Sequence, residues 1–272
     1  MNAFGISITT PPQQSPLHWD GVNLFIPWGG PYYSDTGLST GASAANDAVR
    51  AIPDRSRNRY DLLALGNTER AIVSRPVGYR PHLSFNGSHY YYGGANSGAV
   101  QYIDLLRGGS ASDALASFSL SIWANFSSLA AAGFIASRYR VSQTGGWRLG
   151  YLTTGNAYRF QIRLDNGETT PSTGEVILPD TPATGTWNRF TVTYLHTVPS
   201  ISIRLNLGTP VSLTTSTTIG RANAPVRVGA IGNTTDGTVA NLFNGSIGEI
   251  VAKTSAFTDA ESAILQARGA TW

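Results

Sequence analysis

Apolar and polar residues alternate along much of the chain from residue 83 onward. The alternation is clearest in four stretches, residues 119–124, 158–164, 190–194 and 201–207. A period of two residues is that of a β-strand with one buried face. The turn sequences in this region are Asn86-Gly87, Asp165-Asn166-Gly167, Asp236-Gly237 and Asn244-Gly245. Many short strands joined by such turns predict an all-β protein folded as a two-sheet sandwich.

One short helix is predicted near the C-terminus. Thr258 is followed three residues later by Glu261, the spacing of a capping box, in which each side chain accepts a hydrogen bond from the other residue's backbone N–H. Gly269 after Arg268 is typical of a helix end, because glycine readily adopts the left-handed conformation found there. The strands are therefore expected to be followed by a short helix.

The first 22 residues differ from the rest and predict an extended N-terminal arm. Ile6 and Ile8 alternate with polar residues as in a short strand, and Pro11-Pro12 predicts a polyproline-like tether. Nothing in this segment can form a core, so we expect it to dock on another subunit. The alternative is a frayed terminus without a partner. The predicted domains are the arm, residues 1–22, and the sandwich, residues 23–272.

Composition excludes several classes of protein. The 272 residues contain no cysteine, which rules out disulfides, thiol catalysis and thiolate metal sites. Hydrophobic residues make up 41% of the chain, too many for a disordered protein. No apolar run approaches the ~18 residues of a membrane-spanning helix, so we predict no membrane insertion.

The positive charge of the chain is carried almost entirely by arginine. Of 19 basic residues only Lys253 is lysine, and the formal net charge is +3. Because the arginine fork pairs with carboxylate, sulfate and phosphate, an anionic surface polysaccharide is a predicted partner, with Arg138 and Arg140 as candidate binding residues. Codon bias in a GC-rich genome is the alternative. Seven arginines between residues 50 and 80 come with no nucleic-acid fold motif, so we predict no nucleic acid partner.

Several aromatic residues are candidates for a binding surface. Trp28, Tyr32 and Tyr33 stand among glycines and prolines, which predicts a loop. In Tyr90-Tyr91-Tyr92 the middle ring of a strand would face opposite to its neighbours, so one or two rings are predicted to be exposed, and Tyr91 is a further candidate. Exposed rings stack on sugars or are buried at protein interfaces. The alternative is that these rings cover the edge of the sandwich.

The chain resembles the concanavalin A-like sandwich, in its laminin-G/pentraxin-like branch. The stretches that carry the resemblance are FSLSIW at 118–123, GWRLG at 146–150, GTWNRFTVTY at 185–194, FNGSIGEI at 243–250 and the capped helix at 257–264. DRS at 54–56 and FNGS at 85–88 are similar to the family's opening, and the similarity covers roughly residues 22–272. The resemblance implies a jelly roll that binds glycans or proteins at loop edges, often with calcium. It also implies that Trp123, Trp147 and Trp187 pack as core residues.

The chain departs from that family where calcium would lie. Asn86 stands where the family's opening usually carries aspartate, and Gly248 stands where its late strand usually carries an acid. Calcium prefers roughly six to eight oxygen ligands, several of them carboxylates. No metal or other cofactor is therefore predicted. A calcium site rich in carbonyl oxygens is the alternative that stays open.

The sequence lacks the patterns of known catalytic sites. Laminarinase-type hydrolases of this fold carry glutamate, aspartate and glutamate at alternate positions of one strand, and no glutamate here has an acid two residues on. The sequence has neither a Walker loop nor a His-x-x-x-His zinc pair, and its four histidines are scattered. A non-enzymatic protein is therefore predicted.

The predicted fold and the expected cellular location together predict a function. The fold usually works outside cells, yet residues 1–5 lack the charged and apolar regions of a secretory signal. A bacteriophage virion protein, made in the host cytoplasm and exposed by lysis, reconciles the two. The predicted function is a virion structural protein, as a head decoration or fibre or a tail or baseplate appendage. Its lectin-like domain would bind surface glycans or proteins, and its arm would bind other virion proteins or copies of itself. The alternative is a free carbohydrate-binding module or lectin outside any virion.

Overall fold

Strands make up most of the regular structure in the computed structural model, which describes residues 15–16, 19–56, 61–64, 66–93, 117–139, 146–163, 173–180, 183–215, 226–232 and 239–269. In chain order the strands are β1 Val22–Ile26, β2 Ala51–Ile52, β3 Leu62–Leu63, β4 Ile72–Ser74, β5 His82–Asn86, β6 Tyr91–Gly93, β7 Phe118–Phe126, β8 Gly133–Tyr139, β9 Gly146–Leu152, β10 Ala157–Arg163, β11 Thr173–Ile177, β12 Asn188–Leu195, β13 Ser200–Leu205, β14 Val211–Thr214, β15 Arg227–Val228, β16 Ile231–Gly232, β17 Val239–Ala240 and β18 Asn244–Lys253. The helix α1 spans Asp259–Ala267. Within the described ranges, no helix is long and apolar enough to span a membrane.

Two large antiparallel sheets form a sandwich. Sheet A has the order β14-β13-β12-β7-β18-β5-β4, and β1 pairs with the second half of β18. Sheet B has the order β11-β10-β9-β8-β15-β6-β3-β2, and β16 pairs with β17 separately. The predicted all-β jelly-roll sandwich with a short C-terminal helix is confirmed.

The period-two stretches coincide with strands β7, β10, β12 and β13. The alternation that predicts β13 extends beyond the strand at Leu207, which lies in the turn after β13 and is 48% exposed. Asn86-Gly87 does form a turn, with Gly87 in the left-handed region at φ 85°. Asn244-Gly245, by contrast, begins β18 instead of a turn, because Asn244 pairs with Asn86 of β5. Residues 165–167 and 236–237 lie outside the described ranges.

Aromatic rings fill much of the space between the sheets. Phe126 lies at the centre of one group, and its ring centroid is 4.9–6.4 Å from those of Tyr151, Tyr158, Phe190 and Phe243. Such pairs add ~0.5–1.5 kcal/mol each beyond the area they bury. The core between the sheets is therefore held largely by rings from several strands.

Helix α1 covers part of the outer face of sheet A. Leu265 packs with Phe25 of β1 and Val251 of β18. Ion pairs hold both ends of the helix, Lys253–Glu261 at 2.8 Å and Glu249–Arg268 at 2.6 Å. The predicted capping box is present, since Thr258 and Glu261 each bond the other's backbone N–H. Glu249 is thus a buried structural carboxylate, and desolvation by burial raises its pKa while Arg268 opposes that shift.

A second, smaller cluster on the same outer face contains three tryptophans. Trp28 and Trp123 are buried, Trp187 packs on them and is half-buried, and the centroids of Trp28 and Trp187 are 5.1 Å apart. The predicted core packing holds fully for Trp147, which is 1% exposed between the sheets. Trp123 is also buried, but it belongs to this satellite cluster.

A buried carboxylate ties β1 to the segment after β2. Asp54 Oδ1 accepts hydrogen bonds from the backbone N–H groups of Phe25 and Ser56, each at 2.8 Å, and Oδ2 accepts from Ser56 Oγ at 2.6 Å. Asp54→Ala removes the acceptor of these three hydrogen bonds, so we expect it to lower the free energy of unfolding by about 2–3 kcal/mol. Urea unfolding measures the loss, and Asp54→Asn, which keeps one oxygen, is the matched control. Equal losses in the two variants would contradict this role.

The predicted arm is mostly outside the described ranges. Ile6, Ile8, Pro11 and Pro12 all lie there, so the arm stays a prediction. Its last residues belong to the sandwich, since Val22 pairs with Lys253. Trp19 contacts Phe257 with ring centroids 6.3 Å apart. Residues 19–22 thus already pack on the domain.

Candidate functional site

The outer face of sheet B carries a row of polar side chains. In β9 and β10 the residues Trp147, Leu149, Tyr158 and Phe160 point into the core. Because side chains alternate along a strand, the intervening Arg148, Arg159 and Gln161 project from the opposite face. The strand register then places Arg148 opposite Gln161, and Gln161 opposite Glu175 of β11.

These side chains are hydrogen-bonded to one another across three strands. Arg159 Nη1 lies 2.7 Å from Glu175 Oε2, and the two side chains are 12% and 24% exposed. Gln161 donates from Nε2 to the same carboxylate and accepts from Arg148 Nε. Burial of the hydrogen-bonded groups restricts their rotamers, so the row presents a fixed set of donors and acceptors.

Aromatic rings continue the row across the middle of the sheet. The guanidinium carbon of Arg148 lies 4.9 Å from the ring centroid of Phe134 in β8. Gly150 makes this approach possible, because a Cβ there would overlap Phe134 Cα and the Gly133 carbonyl. Farther along, the guanidinium of Arg227 lies 5.1 Å from the ring centroid of Tyr92. Both geometries are cation–π contacts.

We call this row the polar band and define it as Arg148, Arg159, Arg227, Gln161, Glu175, Phe134 and Tyr92. Its accessible members are Arg148, Arg159 and Glu175, which are half-buried, whereas the other four are less than 9% exposed and support them from beneath. Beyond its end, the Tyr90 ring lies edge-on to Tyr92, with centroids 5.3 Å apart. Desolvation by burial raises the pKa of Tyr90, and Tyr92 and the Glu69 carboxylate add to that rise. The band holds three arginines against one carboxylate, so it is positively charged, and the phenol of Tyr90 stays protonated beside it.

The guanidinium groups of Arg148 and Arg159 and the carboxylate of Glu175 lie on one sheet face and can bind hydroxyl and carboxylate groups of a sugar. A family model for laminin G-like domains of the concanavalin A-like lectin/glucanases superfamily matches residues 96–262. The chain belongs to this superfamily. The match covers more than half of the sequence and confirms the predicted resemblance.

Solved structures share the fold of this superfamily member at low identity. The binding domain of botulinum neurotoxin serotype G has a TM-score of 0.53 and 11% identity, covering 79% of this chain and 48% of its own. The binding domain of botulinum neurotoxin DC, in complex with SialylT, has a TM-score of 0.51 and 14% identity, covering 91% of this chain and 51% of its own. The Ruminococcus gnavus IT-sialidase CBM40 bound to α2,3 sialyllactose has a TM-score of 0.46 and 18% identity, covering 56% of this chain and 83% of its own. No curated protein matches the chain.

Three aromatic residues predicted to be accessible are buried, and the expectation of exposure is wrong for them. Trp28 is 8% exposed, Tyr32 3% and Tyr91 0%. The hydroxyl of Tyr91 donates to Val49 O at 2.8 Å and accepts from Ala71 N–H at 3.1 Å. Desolvation raises the pKa of both tyrosines. Tyr91 therefore ties strands together, and Trp28 packs in the satellite cluster.

The remaining predicted site residues fall in different places. Arg138 is 4% exposed and pairs across β8–β9 with the core residue Trp147, so its predicted availability to a ligand is also wrong. Tyr33 is half-buried and its backbone bridges Gly41 and Ala51. Arg140 lies outside the described ranges. None of these six residues belongs to the polar band.

The residues of the polar band were missed as a site. The alternation of β10 does indicate that Arg159 and Gln161 face away from the core. Their partner Glu175, however, lies in a strand that the sequence pattern does not mark, so its pairing with them could not be predicted. The useful signal is a strand with several long polar residues on its outer side.

Calcium does not fit the positions where the superfamily would hold it. Asn86 Oδ1 already accepts hydrogen bonds from Ser88 N–H at 3.0 Å and Ser88 Oγ at 2.6 Å. At Gly248 a Cβ would overlap the Trp28 ring atoms Cζ3 and Cη2, so no acid can stand there without moving the indole. Across the described part of the chain, no group of three or more histidine, aspartate or glutamate residues could hold a metal ion.

Proposed function

We propose that the chain is a non-catalytic carbohydrate-binding module, and that the polar band of sheet B binds an anionic glycan. The observation that carries the proposal is the hydrogen-bonded set Glu175, Arg159, Gln161 and Arg148 on one sheet face. Membership of a superfamily of lectins and glucanases supports the binding of sugars. The band offers a single carboxylate, whereas glycoside hydrolysis uses a pair, which supports binding without turnover.

The charge of the band favours a sugar that bears a carboxylate. Arginine pairs with carboxylates through two parallel hydrogen bonds, and such charge-assisted bonds are about twice as strong as neutral ones. The neurotoxin DC binding domain, which shares the fold, has been solved with SialylT. A sialylated oligosaccharide is therefore the first probe to use.

Removing either arginine of the charged half of the band is expected to weaken binding of a sialylated oligosaccharide at least tenfold. Arg148→Gln and Arg159→Gln each delete one positive charge and the guanidinium fork that would pair with the sugar carboxylate. A glycan array identifies the best sialylated oligosaccharide, and isothermal titration calorimetry then gives its Kd with wild type and variants. The same glycan without sialic acid tests whether the carboxylate is needed.

Arg204→Gln is the matched control, since it also deletes one positive charge but lies on sheet A, where Arg204 pairs with the exposed Asp259 at 3.5 Å. It is expected to bind like wild type, and all variants must keep the wild-type thermal transition. An equal loss of affinity in Arg204→Gln would contradict the assignment of the site. Equal affinity for the glycan with and without sialic acid would contradict the anionic ligand.

The biological setting of the module is a separate hypothesis. The sequence-based prediction of a bacteriophage virion protein has no support from the family match or the solved structures, which agree with the alternative of a free carbohydrate-binding module. Genome neighbourhood distinguishes them, because capsid, portal and tail genes beside this one would favour the virion. Polysaccharide hydrolases or transporters there would favour the free module.

A further inference from the structure

A surface cleft of about 370 Å³ opens at one end of the sandwich. Its walls come from the turn after β5, the loop between β7 and β8, and the segment that leads into β18. The cleft is lined by Gly87, Ser128, Ala130, Ala131, Ala132, Gly133, Asn241, Leu242 and Asn244. None of these residues is charged, and the volume lies near the lower end of that of ligand pockets, ~300–1000 Å³.

Backbone hydrogen bonds fix the walls of the cleft to the sheets. Gly87 N donates to Phe243 O at 3.2 Å, and Ser127 N donates to Asn244 O at 3.0 Å. Phe134 N donates to Asn241 O at 3.1 Å. Gly87 and Asn241 both adopt positive φ, at 85° and 47°, which turns the chain sharply on two sides of the opening. The cleft is thus preformed by the ends of four strands, β5, β7, β8 and β18.

Three asparagines stand beside the cleft on the outer face of sheet A. Asn244 is paired with Asn86 across β18–β5, and Asn125 of β7 is paired with Ser246, two residues beyond Asn244. The neighbouring residues Phe85, Phe126 and Ile247 point into the core, so the three amides project to the opposite side. We call Asn86, Asn125 and Asn244 the amide row.

One member of the amide row has an unused acceptor. Asn125 Oδ1 is buried and has no hydrogen-bond partner within the described ranges. A buried acceptor without a donor costs about 1–3 kcal/mol, which a ligand hydroxyl could recover. The half-buried indole of Trp187 lies on the same face, 4.9 Å from the ring of His82, and its turn is tied to β7 by Gly185 N–H···O Phe126 at 2.9 Å.

We propose that the cleft and the amide row form a second binding site, for an uncharged saccharide. Amide groups both donate to and accept from sugar hydroxyls. The alanine methyls of the cleft offer an apolar surface to the C–H face of a pyranose. The lack of charge in the lining disfavours an anion, which would have to give up its hydration without a partner. The site is therefore chemically distinct from the polar band.

Filling the cleft tests the proposal. Ala131→Trp places a large ring in the cleft from an exposed position, and Ala256→Trp, at an exposed position before α1, is the matched control. A panel of neutral oligosaccharides of glucose, galactose and N-acetylglucosamine serves as probe, by glycan array and then by calorimetry. We expect Ala131→Trp to weaken neutral binding at least tenfold and Ala256→Trp to leave it unchanged.

The amide row gives a second, independent readout. Asn125→Ala is expected to weaken neutral binding severalfold while leaving the thermal transition unchanged or slightly higher, because it removes an unpaired buried oxygen. Neutral binding that survives Ala131→Trp, or wild-type protein that binds no neutral glycan at millimolar concentration, would overturn the proposal. Sialylated binding measured in the same variants keeps the two sites apart, since Arg159→Gln should reduce only that binding.

Discussion

Trp147→Ala is expected to lower the free energy of unfolding by about 3–5 kcal/mol, as truncations of large aromatic residues in cores do. Trp147 is 1% exposed and lies between the sheets, with its centroid 5.6 Å from Phe118 and 6.4 Å from Phe160. Its removal opens a cavity that rings from both sheets line, and the strands cannot close it without losing their pairing. Urea unfolding followed by far-UV circular dichroism measures the loss without relying on tryptophan fluorescence.

The loss of stability in Trp147→Ala is to be compared with that in Trp187→Ala. Both tryptophans were predicted to be core residues, but Trp187 is half-buried in the satellite cluster on the outer face of sheet A. Less of its surface is removed from water, so its truncation should cost clearly less than that of Trp147. An equal or greater loss for Trp187→Ala would show that the satellite cluster carries as much stability as the core.

Gly248→Asp is expected to cost about 3 kcal/mol or more, although the sequence resemblance led us to expect an acid at this position. The new side chain would overlap the indole of Trp28, and overpacking alone costs about 1–3 kcal/mol. The carboxylate would also lose its hydration in the tryptophan cluster, which adds to the loss. Gly248→Ala separates the two effects, because it keeps the overlap and omits the charge.

A double-mutant cycle with Trp28→Ala tests the cause directly. If the indole excludes a side chain at position 248, then Gly248→Ala should cost at least about 1 kcal/mol less in the Trp28→Ala background than in wild type, as coupled neighbours do. Additive losses would contradict the steric argument. Calcium titration of Gly248→Asp, followed by its melting temperature, checks in addition whether the acid alone restores a metal site; we expect no change.

The local patterns of the sequence predicted the elements well, because each depends on residues close together in the chain. The alternation of Leu120, Ile122 and Ala124 with Ser119, Ser121 and Trp123 predicts a strand with one face toward the core, and the first three do lie in the core. The capping box of Thr258 and Glu261 likewise needs only three residues of separation, and both of its hydrogen bonds are present. Strands, helix and the sandwich class were therefore accessible from the sequence alone.

Exposure of the aromatic residues could not be predicted in the same way. Glycines and prolines around Trp28 do indicate an irregular segment, but whether its ring is covered depends on Gly248, 220 residues away in the sequence. The hydroxyl of Tyr91 likewise bonds the backbone of Val49 and Ala71, and the residues next to Tyr91 in the sequence do not indicate that these two lie nearby. Burial of a loop side chain is set by which distant strand passes beneath it.

The candidate sites show the same division. The sequence alone determined that Arg159 and Gln161 face away from the core, since that follows from the two-residue period of β10. Only the tertiary structure decided that Glu175 meets Arg159 and Gln161, because the register between β10 and β11 depends on side-chain packing across strands. Asn86 and Asn244 are neighbours for the same reason. In the sequence Asn244-Gly245 resembles a turn, but in the structure it begins β18, because β18 pairs with β5.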